Sequence, residues 1–518
     1  MFAQRSPIII IQNVASALMG FVGLFFILRY IGTLDWGFVA FGIGFVGIFS
    51  LIGDLGYSTA HTIKISHGED IAACNATFLT IKASLSLLFA VLVVGALEFW
   101  VHVLHRGFQS PVEYWIILSL IPYFIFQNMV GFTTSYFRAT LKSVRTALPP
   151  LIEAVFRNSV FIGIAVIIRF HSGISGYYDA LYLSTTYSIS YSLYFAFSIA
   201  LGRPWQISKP SRKLFMEYTA IALPLMLVTS VGTISGNIDK VVIQLFWHAY
   251  ATGAFYTSQT IAAIVTTLSG SMSTFFVPLL IKYQKLEGKE AHNRSIHEFE
   301  RLISLYTLPV VIPMSMLALF IMNIFTAAYI SYSLMLSLLS WRAYFSAINT
   351  PYSSSIVSRS RTGTVAIIDT SLVLLNIALI LVLVPPSIFG FSRISLGAFG
   401  AAYAMLAGGV ISATVYRIVV IRMEGITPNF AIFRQVIPAA AQAAFIIAVT
   451  KMIVPKDILV LAPLVLASML LYFAVAMIIR ETSWGELKNI IANFSPVAIR
   501  KRFSEENSES DEKITGSG

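Results

Sequence analysis

Five charged side chains stand where a strongly apolar chain has least use for them. Arg342 sits in the middle of an apolar run, in Ser340-Trp341-Arg342-Ala343-Tyr344; Glu153 and Arg157 lie four residues apart; Asp239 and Lys240 are adjacent in Gly236-Asn237-Ile238-Asp239-Lys240-Val241-Val242-Ile243. A charge at membrane depth costs about 2.5–3.5 kcal/mol on insertion scales unless it is paired or watered. Arginine suits a phosphate, because its planar fork donates paired hydrogen bonds. Arg342 is therefore either a phosphate-binding cation or half of a structural ion pair. Glu153 and Arg157 share one helix face and either neutralise each other or line a cavity together. Adjacent helical residues point about 100° apart, so only one of Asp239 and Lys240 faces a cavity centre. Asp239 either binds a coupling ion (Na+ or H+) or pairs with its basic neighbourhood.

The elements that must hold these residues follow from composition. Of 518 residues, 57% are hydrophobic and 11% charged, where a soluble chain carries about 25% charged residues. The fold class is all-α integral membrane protein. Arg5 and Pro7 lead straight into an apolar run with no small-residue cleavage site. At about 20 apolar residues per span, fourteen spans are predicted: 8–29, 36–58, 77–99, 114–137, 149–169, 180–201, 215–245, 252–280, 301–325, 330–357, 364–384, 397–420, 435–453 and 458–480. The tail 481–518 ends in Ser504-Glu505-Glu506-Asn507-Ser508-Glu509-Ser510-Asp511-Glu512, too polar to bury a core and read as disordered. The single cysteine, Cys74, is read as a small loop residue and excludes a disulfide framework. No HExxH, phosphate loop or nucleophile elbow is present, and the eight histidines fall in or near loops without forming a metal set. Neither an enzyme nor a cofactor is expected.

Orientation follows from the basic residues. Of 35 Lys and Arg, six fall on one side (Arg29, Arg106, Arg169, Arg393, Lys451, Lys456) and four within spans (Lys82, Arg157, Lys240, Arg342), leaving 25 on the side of the N-terminus. That side is read as cytoplasmic, with both termini there. The positive charge is thus a topology signal, and no nucleic-acid partner is implied. A weak repeat pairs Gly37 with Gly253 and the approach Gly173-Ile174-Ser175-Gly176-Tyr177 with Gly397-Ala398-Phe399-Gly400-Ala401. It predicts an N-terminal lobe over 1–213, a C-terminal lobe over 214–433, and two appended spans over 434–480. Parallel repeats of this kind place a substrate site between the halves.

Leu28-Arg29-Tyr30-Ile31-Gly32, Trp36-Gly37-Phe38 and Asp54-Leu55-Gly56-Tyr57-Ser58-Thr59-Ala60 resemble the N-terminal signature of polysaccharide transporters. These are the Wzx-type flippases of the multidrug/oligosaccharidyl-lipid/polysaccharide (MOP) superfamily. The segments around Asp239-Lys240, Gly253-Ala254-Phe255-Tyr256, Phe276-Val277-Pro278-Leu279-Leu280 and Gly397 are similar too. The resemblance reaches to about residue 480, and fourteen spans fit this family better than the twelve usual in its drug-exporting relatives. It implies movement of a polyprenyl-linked saccharide across the membrane, with glycan polymerases or glycosyltransferases as partners.

Such a substrate calls for a wet cavity lined by cations and hydrogen-bond donors, for which Arg342, Arg157, Glu153 and Lys240 are the candidates. Asp239, Asp54, Asp369 and Arg29 are the candidates for coupling or gating. Arg29 resembles the family's arginine at the end of the first helix, or else anchors that helix at the interface. Asp54 and Asp369 are expected to hold an inner gate against loop arginines. The aromatic residues, 13% of the chain, are read mainly as lipid contacts and interfacial belts. Two other functions remain open: a cation-coupled multidrug exporter, which calls for a smaller and more acidic cavity, and a non-transporting scaffold of a glycan-assembly complex, which calls for none.

Overall fold

The computed structural model describes residues 2–103, 108–140, 142–170, 178–202, 205–273, 280, 288–359, 361–388, 391–392, 395–426, 429–455 and 457–485. The acidic tail, Arg106, Arg393, Lys456, the 173–177 approach and most of the 276–280 motif lie outside the described residues.

The helices are α1 (Phe2–Phe26), α2 (Thr33–Phe49), α3 (Tyr57–Ser66), α4 (Ile71–Glu98), α5 (Val112–Ala139), α6 (Ser143–Phe170) and α7 (Asp179–Leu201). There follow α8 (Arg212–Ser273), α9 (Gly288–Met316), α10 (Ala318–Phe325), α11 (Ser333–Ser358), α12 (Thr362–Leu383), α13 (Ala398–Glu424), α14 (Val436–Met452) and α15 (Ile458–Ile478). His248, at φ 67°, breaks α8 into two arms. A two-residue ladder, Ser387–Ile388 with Phe391–Ser392, is antiparallel. Among the described residues nine helices are long and apolar enough to cross a membrane, and ten when α9 and α10, which meet at 71°, form one bent span.

The two arms of α8, with α7 and α11, complete the fourteen predicted spans. α7, α11 and the second arm of α8 are less apolar along their length, and polar side chains on each of them are buried. Ser184, Thr186 and Ser190 on α7, Thr257 and Ser258 on α8, and Ser340, Asn349 and Ser355 on α11 are all buried. A helix that faces lipid on one side and a polar interior on the other has a diluted apolar signal.

Short α3 and the start of α4 occupy the stretch expected to be a loop between the second and third spans. The Asp70 side chain caps α4 by accepting from the Ala72 N–H at 2.9 Å, which satisfies an end donor of the helix. Cys74 is therefore a fully buried residue of the first turn of α4, not a loop residue. His61 is likewise buried within α3, its Nδ1 2.7 Å from the Tyr218 hydroxyl of α8.

The helix at the centre is α2: 72% of its most apolar window is buried, against 11–39% in the other eight spans. It packs along α8 through glycines. A Cβ on Gly37 would fall 2.0 Å from the Ala249 carbonyl oxygen, and one on Gly253 2.3 Å from the Tyr329 hydroxyl and 3.1 Å from the Gly37 Cα. Further along the same face, Gly44 admits the Lys240 Cβ and Gly47 the Asn237 amide. Glycine lets two backbones approach as no other residue does, the usual basis of tight helix pairs in a membrane. Around this seam, Trp36 stacks on Tyr256 at 5.3 Å, the Tyr329 hydroxyl donates to the Thr33 carbonyl at 2.8 Å, and the Trp247 Nε1–H donates to the Val384 carbonyl at 2.8 Å. All of these lie at one end of the bundle. The other end, where the basic connections gather, is tied by Lys64 with Glu217, Arg301 with Glu298 and Arg417 with Glu300.

Gly37→Ala and Gly253→Ala are expected to destabilise the protein by about 1–3 kcal/mol through overpacking. Gly95→Ala, where a Cβ meets nothing within 4 Å, is expected to be neutral or stabilising by up to about 1 kcal/mol. Thermal midpoints of the detergent-solubilised variants, read by loss of the monodisperse chromatographic peak, provide the check.

Candidate functional site

Between α1, α2, α5, α6, α7 and the second arm of α8 lies a cavity of about 400 Å³, within the usual range of small-ligand sites. Its polar wall is made by Arg157 of α6, Asn13 and Ser16 of α1, and Thr260 and Thr267 of α8; its aromatic wall by Trp36, Tyr123, Phe161, Tyr187, Tyr191 and Tyr256. Arg157 donates from Nε to Glu153 Oε1 at 2.6 Å, and the Ser190 hydroxyl of α7 donates to the same oxygen at 3.2 Å. The guanidinium carbon lies 5.1 Å from the centroid of Tyr187 and 5.8 Å from that of Phe161, within cation–π range. The Glu153–Arg157 spacing thus gives both readings at once, an ion pair and a cavity-lining cation.

Tyr123 is placed by a repaired helix break. Pro122 interrupts α5, and there Ser188 of α7 enters the ladder, accepting the Tyr123 N–H at 3.0 Å and donating to the Ser119 carbonyl. A side chain inserted in this way is one of the recognised causes of a bend. Tyr123, held by this contact, lies edge-on against Tyr191 at 4.6 Å and Tyr187 at 5.3 Å. This aromatic wall is a local exception to the reading of the aromatics as mainly lipid contacts and belts. Its signal was the i, i+4, i+7 spacing of Tyr187, Tyr191 and Tyr194 on one span that is also rich in Ser and Thr.

The other candidates lie elsewhere. Lys240 is behind the aromatic wall, its Nζ 5.5 Å from the Tyr256 centroid, donating to the Gly236 carbonyl at 2.7 Å and lying 3.7 Å from Asp239 Oδ1. Asp239 is fully buried; its Oδ1 accepts the Lys240 N–H at 2.8 Å, and Gln259 reaches its Oδ2 at 3.5 Å. Arg342 of α11 does not line this cavity. It packs under Gly409 of α13, and the charge acting on it is Asp239. Arg29 sits in the middle of the π-helical turn 27–31 after α1, exposed and 6.0 Å from the Phe25 ring, a placement that suits an interfacial anchor.

The expected inner-gate role of Asp54 and Asp369 against loop arginines needs correcting. Asp54 pairs with Lys82 of α4, which is 1% exposed, and with the Ser58 hydroxyl; Asp369 accepts from the Tyr416 hydroxyl at 2.6 Å. Both partners come from spans, and an in-span lysine is paired with a carboxylate sooner than one free in water. Glu300, 1% exposed, was missed altogether: Arg417 bonds its Oε1, and Tyr352 (2.7 Å) and Asn429 (3.0 Å) its Oε2. Only a tertiary contact brings these together, since 117 residues separate Arg417 from Glu300.

That cluster closes one end of a second, larger concavity of about 740 Å³ between α9, α11, α13 and α14. Beyond Glu300, Arg417 and Tyr352 its lining is mostly apolar, with Leu308, Ile312, Phe345, Ile348, Val410 and Phe433 among it. Phe430, Phe433 and Val436 on its rim are exposed.

The family model described as polysaccharide biosynthesis protein matches residues 3–284, more than half of the chain. Among solved structures, the lipid II flippase MurJ in an inward closed conformation superposes at a TM-score of 0.70 and 17% identity, over 91% of this chain and 98% of that one. An inward-facing multidrug resistance MATE family transporter of the MOP superfamily superposes at 0.60 and 13%, over 81% and 100%. MATE in complex with MaD3S does so at 0.55 and 14%, over 81% and 95%. No curated protein matches the sequence. At these identities the structural likeness establishes the fold, and the family match establishes the kinship. The chain belongs to the polysaccharide biosynthesis protein family and has the multi-pass membrane fold of the MOP-superfamily flippases and transporters.

Proposed function

We propose that the protein is a flippase that moves a polyprenyl-linked oligosaccharide from the cytoplasmic to the outer leaflet, by alternating access, for surface glycan assembly. The observation that carries this reading is the cavity in which Arg157 is set among tyrosines, Trp36 and hydroxyls. An oligosaccharide headgroup with its phosphate must cross about 30 Å of hydrocarbon. Arginine offers charge-assisted bonds to the phosphate, hydroxyls and amides meet the sugar hydroxyls, and aromatic faces meet the apolar faces of the sugar rings. The prenyl tail stays in lipid, and the apolar concavity between α11, α13 and α14 supplies a lateral path for it.

In this reading residues 1–213 and 214–433 rock as two lobes about the cavity, and the appended helices of 434–480 border the tail path. The basic end faces the cytoplasm of the plasma membrane, with both termini there, by the lysine and arginine asymmetry. No covalent bond is made or broken, so the protein is not an enzyme; a polymerase or glycosyltransferase receives or supplies the substrate. Asp239, buried beside Lys240 and within the field of Arg342, is the group that couples transport to Na+ or H+. The exporter reading calls for an acidic cavity, whereas no Asp or Glu is among the described residues that line this one.

Flipping of a fluorescent polyprenyl-linked saccharide in proteoliposomes is the test. Arg157→Ala is expected to reduce flipping by about 10- to 100-fold, the loss of a charged hydrogen-bonding partner of about 1.5–3 kcal/mol. Arg342→Ala is expected to reduce it less, because Arg342 lies outside the cavity lining. A well-folded wild type that flips no saccharide under any ion gradient overturns the reading. In the same vesicles, Asp239→Asn is expected to abolish the acceleration by a Na+ or proton gradient while leaving gradient-free exchange measurable. Undiminished acceleration removes Asp239 from the coupling role.

A further inference from the structure

At the basic end, away from the Arg157 cavity and beside the Phe433–Val436 rim of the apolar concavity, the loop after α15 folds against α9 and the turn before α14. It encloses a concave volume of about 780 Å³ lined by Arg301, Arg434, Arg480, Thr482, Ser483 and Trp484 among others. The three arginines come from three separate segments, and a buried network holds them together. Gln435, 0% exposed, donates from Nε2 to the Arg301 carbonyl at 3.0 Å and to Glu481 Oε1 at 3.1 Å. The Arg480 and Glu481 N–H groups close back on the Met477 and Ala476 carbonyls at 3.0 and 2.9 Å. This fixes Arg480 in a left-handed conformation, φ 59°, a strain that non-glycine residues hold only where the surroundings impose it.

Arg301 is engaged by Glu298. Arg434 and Arg480 are exposed and have no carboxylate partner among the described residues. Exposed Phe433, Val436, Ile437 and Ile478 flank them along α14 and α15. Two cations without a carboxylate partner among the described residues therefore stand beside an exposed apolar surface, with Trp484 next to them, a residue enriched at membrane interfaces.

We propose that this concavity binds the phosphate headgroup of an anionic phospholipid from the leaflet on the basic side. Arg434 and Arg480 hold the phosphate, and the acyl chains lie along the apolar face of α14 and α15. The site is separate from the transport cavity and does not rest on the flippase reading.

The test is native mass spectrometry of the full-length protein in detergent, titrated with phosphatidylglycerol or with phosphatidylcholine of the same chains. The wild type is expected to retain phosphatidylglycerol preferentially. The Arg434→Gln, Arg480→Gln double variant is expected to lose that preference by about 30-fold, at about 1 kcal/mol per basic residue. Arg422→Gln, an exposed arginine at the end of α13, is expected to leave it intact, and the Arg434→Lys, Arg480→Lys variant to keep most of it. The lysine variant and the single Arg434→Gln variant carry the same comparison if the double glutamine variant does not fold. Equal retention by wild type and double variant, or an equal loss in Arg422→Gln, overturns the proposal in favour of diffuse interfacial charge. Competition by inorganic phosphate as effective as that by phosphatidylglycerol assigns the site to a soluble anion instead.

Discussion

The contact on which the rest of the molecule depends is the backbone approach of α2 to α8 at Gly37 and Gly253. With the Gly37 Cα 3.1 Å from where a Cβ on Gly253 would stand, the two helices are as close as main chains can come. Everything that defines the cavity follows from that separation. Trp36, one residue from Gly37, meets Tyr256, three residues from Gly253, as a stacked pair. One turn or more along, Gly44 and Gly47 leave room for Lys240 and Asn237. Lipid supplies no hydrophobic drive between helices, so such a pair is held by dispersion and a few hydrogen bonds. That kind of interface separates without leaving a large unpaired polar surface, which is what a device that opens at alternate ends requires.

In the proposed rocking of two lobes, most of the buried charges keep their partners. Glu153 and Arg157 are partners on one helix, as are Asp239 and Lys240. Lys82 reaches from α4 to Asp54 in the turn after α2, and Arg417 from α13 to Glu300 on α9. Breaking a buried pair by removing one partner costs about 3–5 kcal/mol, because the other is left uncompensated. A pair local to one helix, or to helices of the same half, travels as a unit and incurs no such cost when the halves move. Arg342 and Asp239 both lie within 214–433, whereas Lys64 of α3 and Glu217 of α8 form an ion pair that crosses between the halves.

What was legible in the sequence, and what was not, divides along the range of the interactions. Hydropathy and the lysine and arginine pattern report on single helices against lipid and water, so the number of spans could be read directly. The Glu153–Arg157 pair was visible because four residues on a helix is a fixed geometry. The partners of Asp54, Asp369 and Glu300 were not, because each is set by how distant helices dock. The tyrosine wall lay between these cases. Its spacing on α7 was plain, but aromatic residues in a membrane chain serve belts and cavities alike, and only the packing of α5 and α6 against α7 separates the two.

The two large concavities differ in chemistry in a way that matches the two ends of an amphiphile. One is small, aromatic and hydroxylic, with a single arginine; the other is nearly twice as large, mostly apolar, and stoppered by the Glu300–Arg417 pair. They are built from different helices, the first from α1, α2, α5–α8 and the second from α9, α11, α13 and α14, so neither shares a wall with the other. A compact drug needs one pocket in which polar and apolar contacts converge. A long prenyl chain with a sugar head instead needs two surfaces, one that admits water and one that admits lipid. Under the proposed function, their separation lets the head change sides while the chain remains in hydrocarbon throughout. In the proposed flippase reading the Arg157 cavity can therefore be small, because it has to desolvate only the part of the substrate that would otherwise be stopped by the membrane.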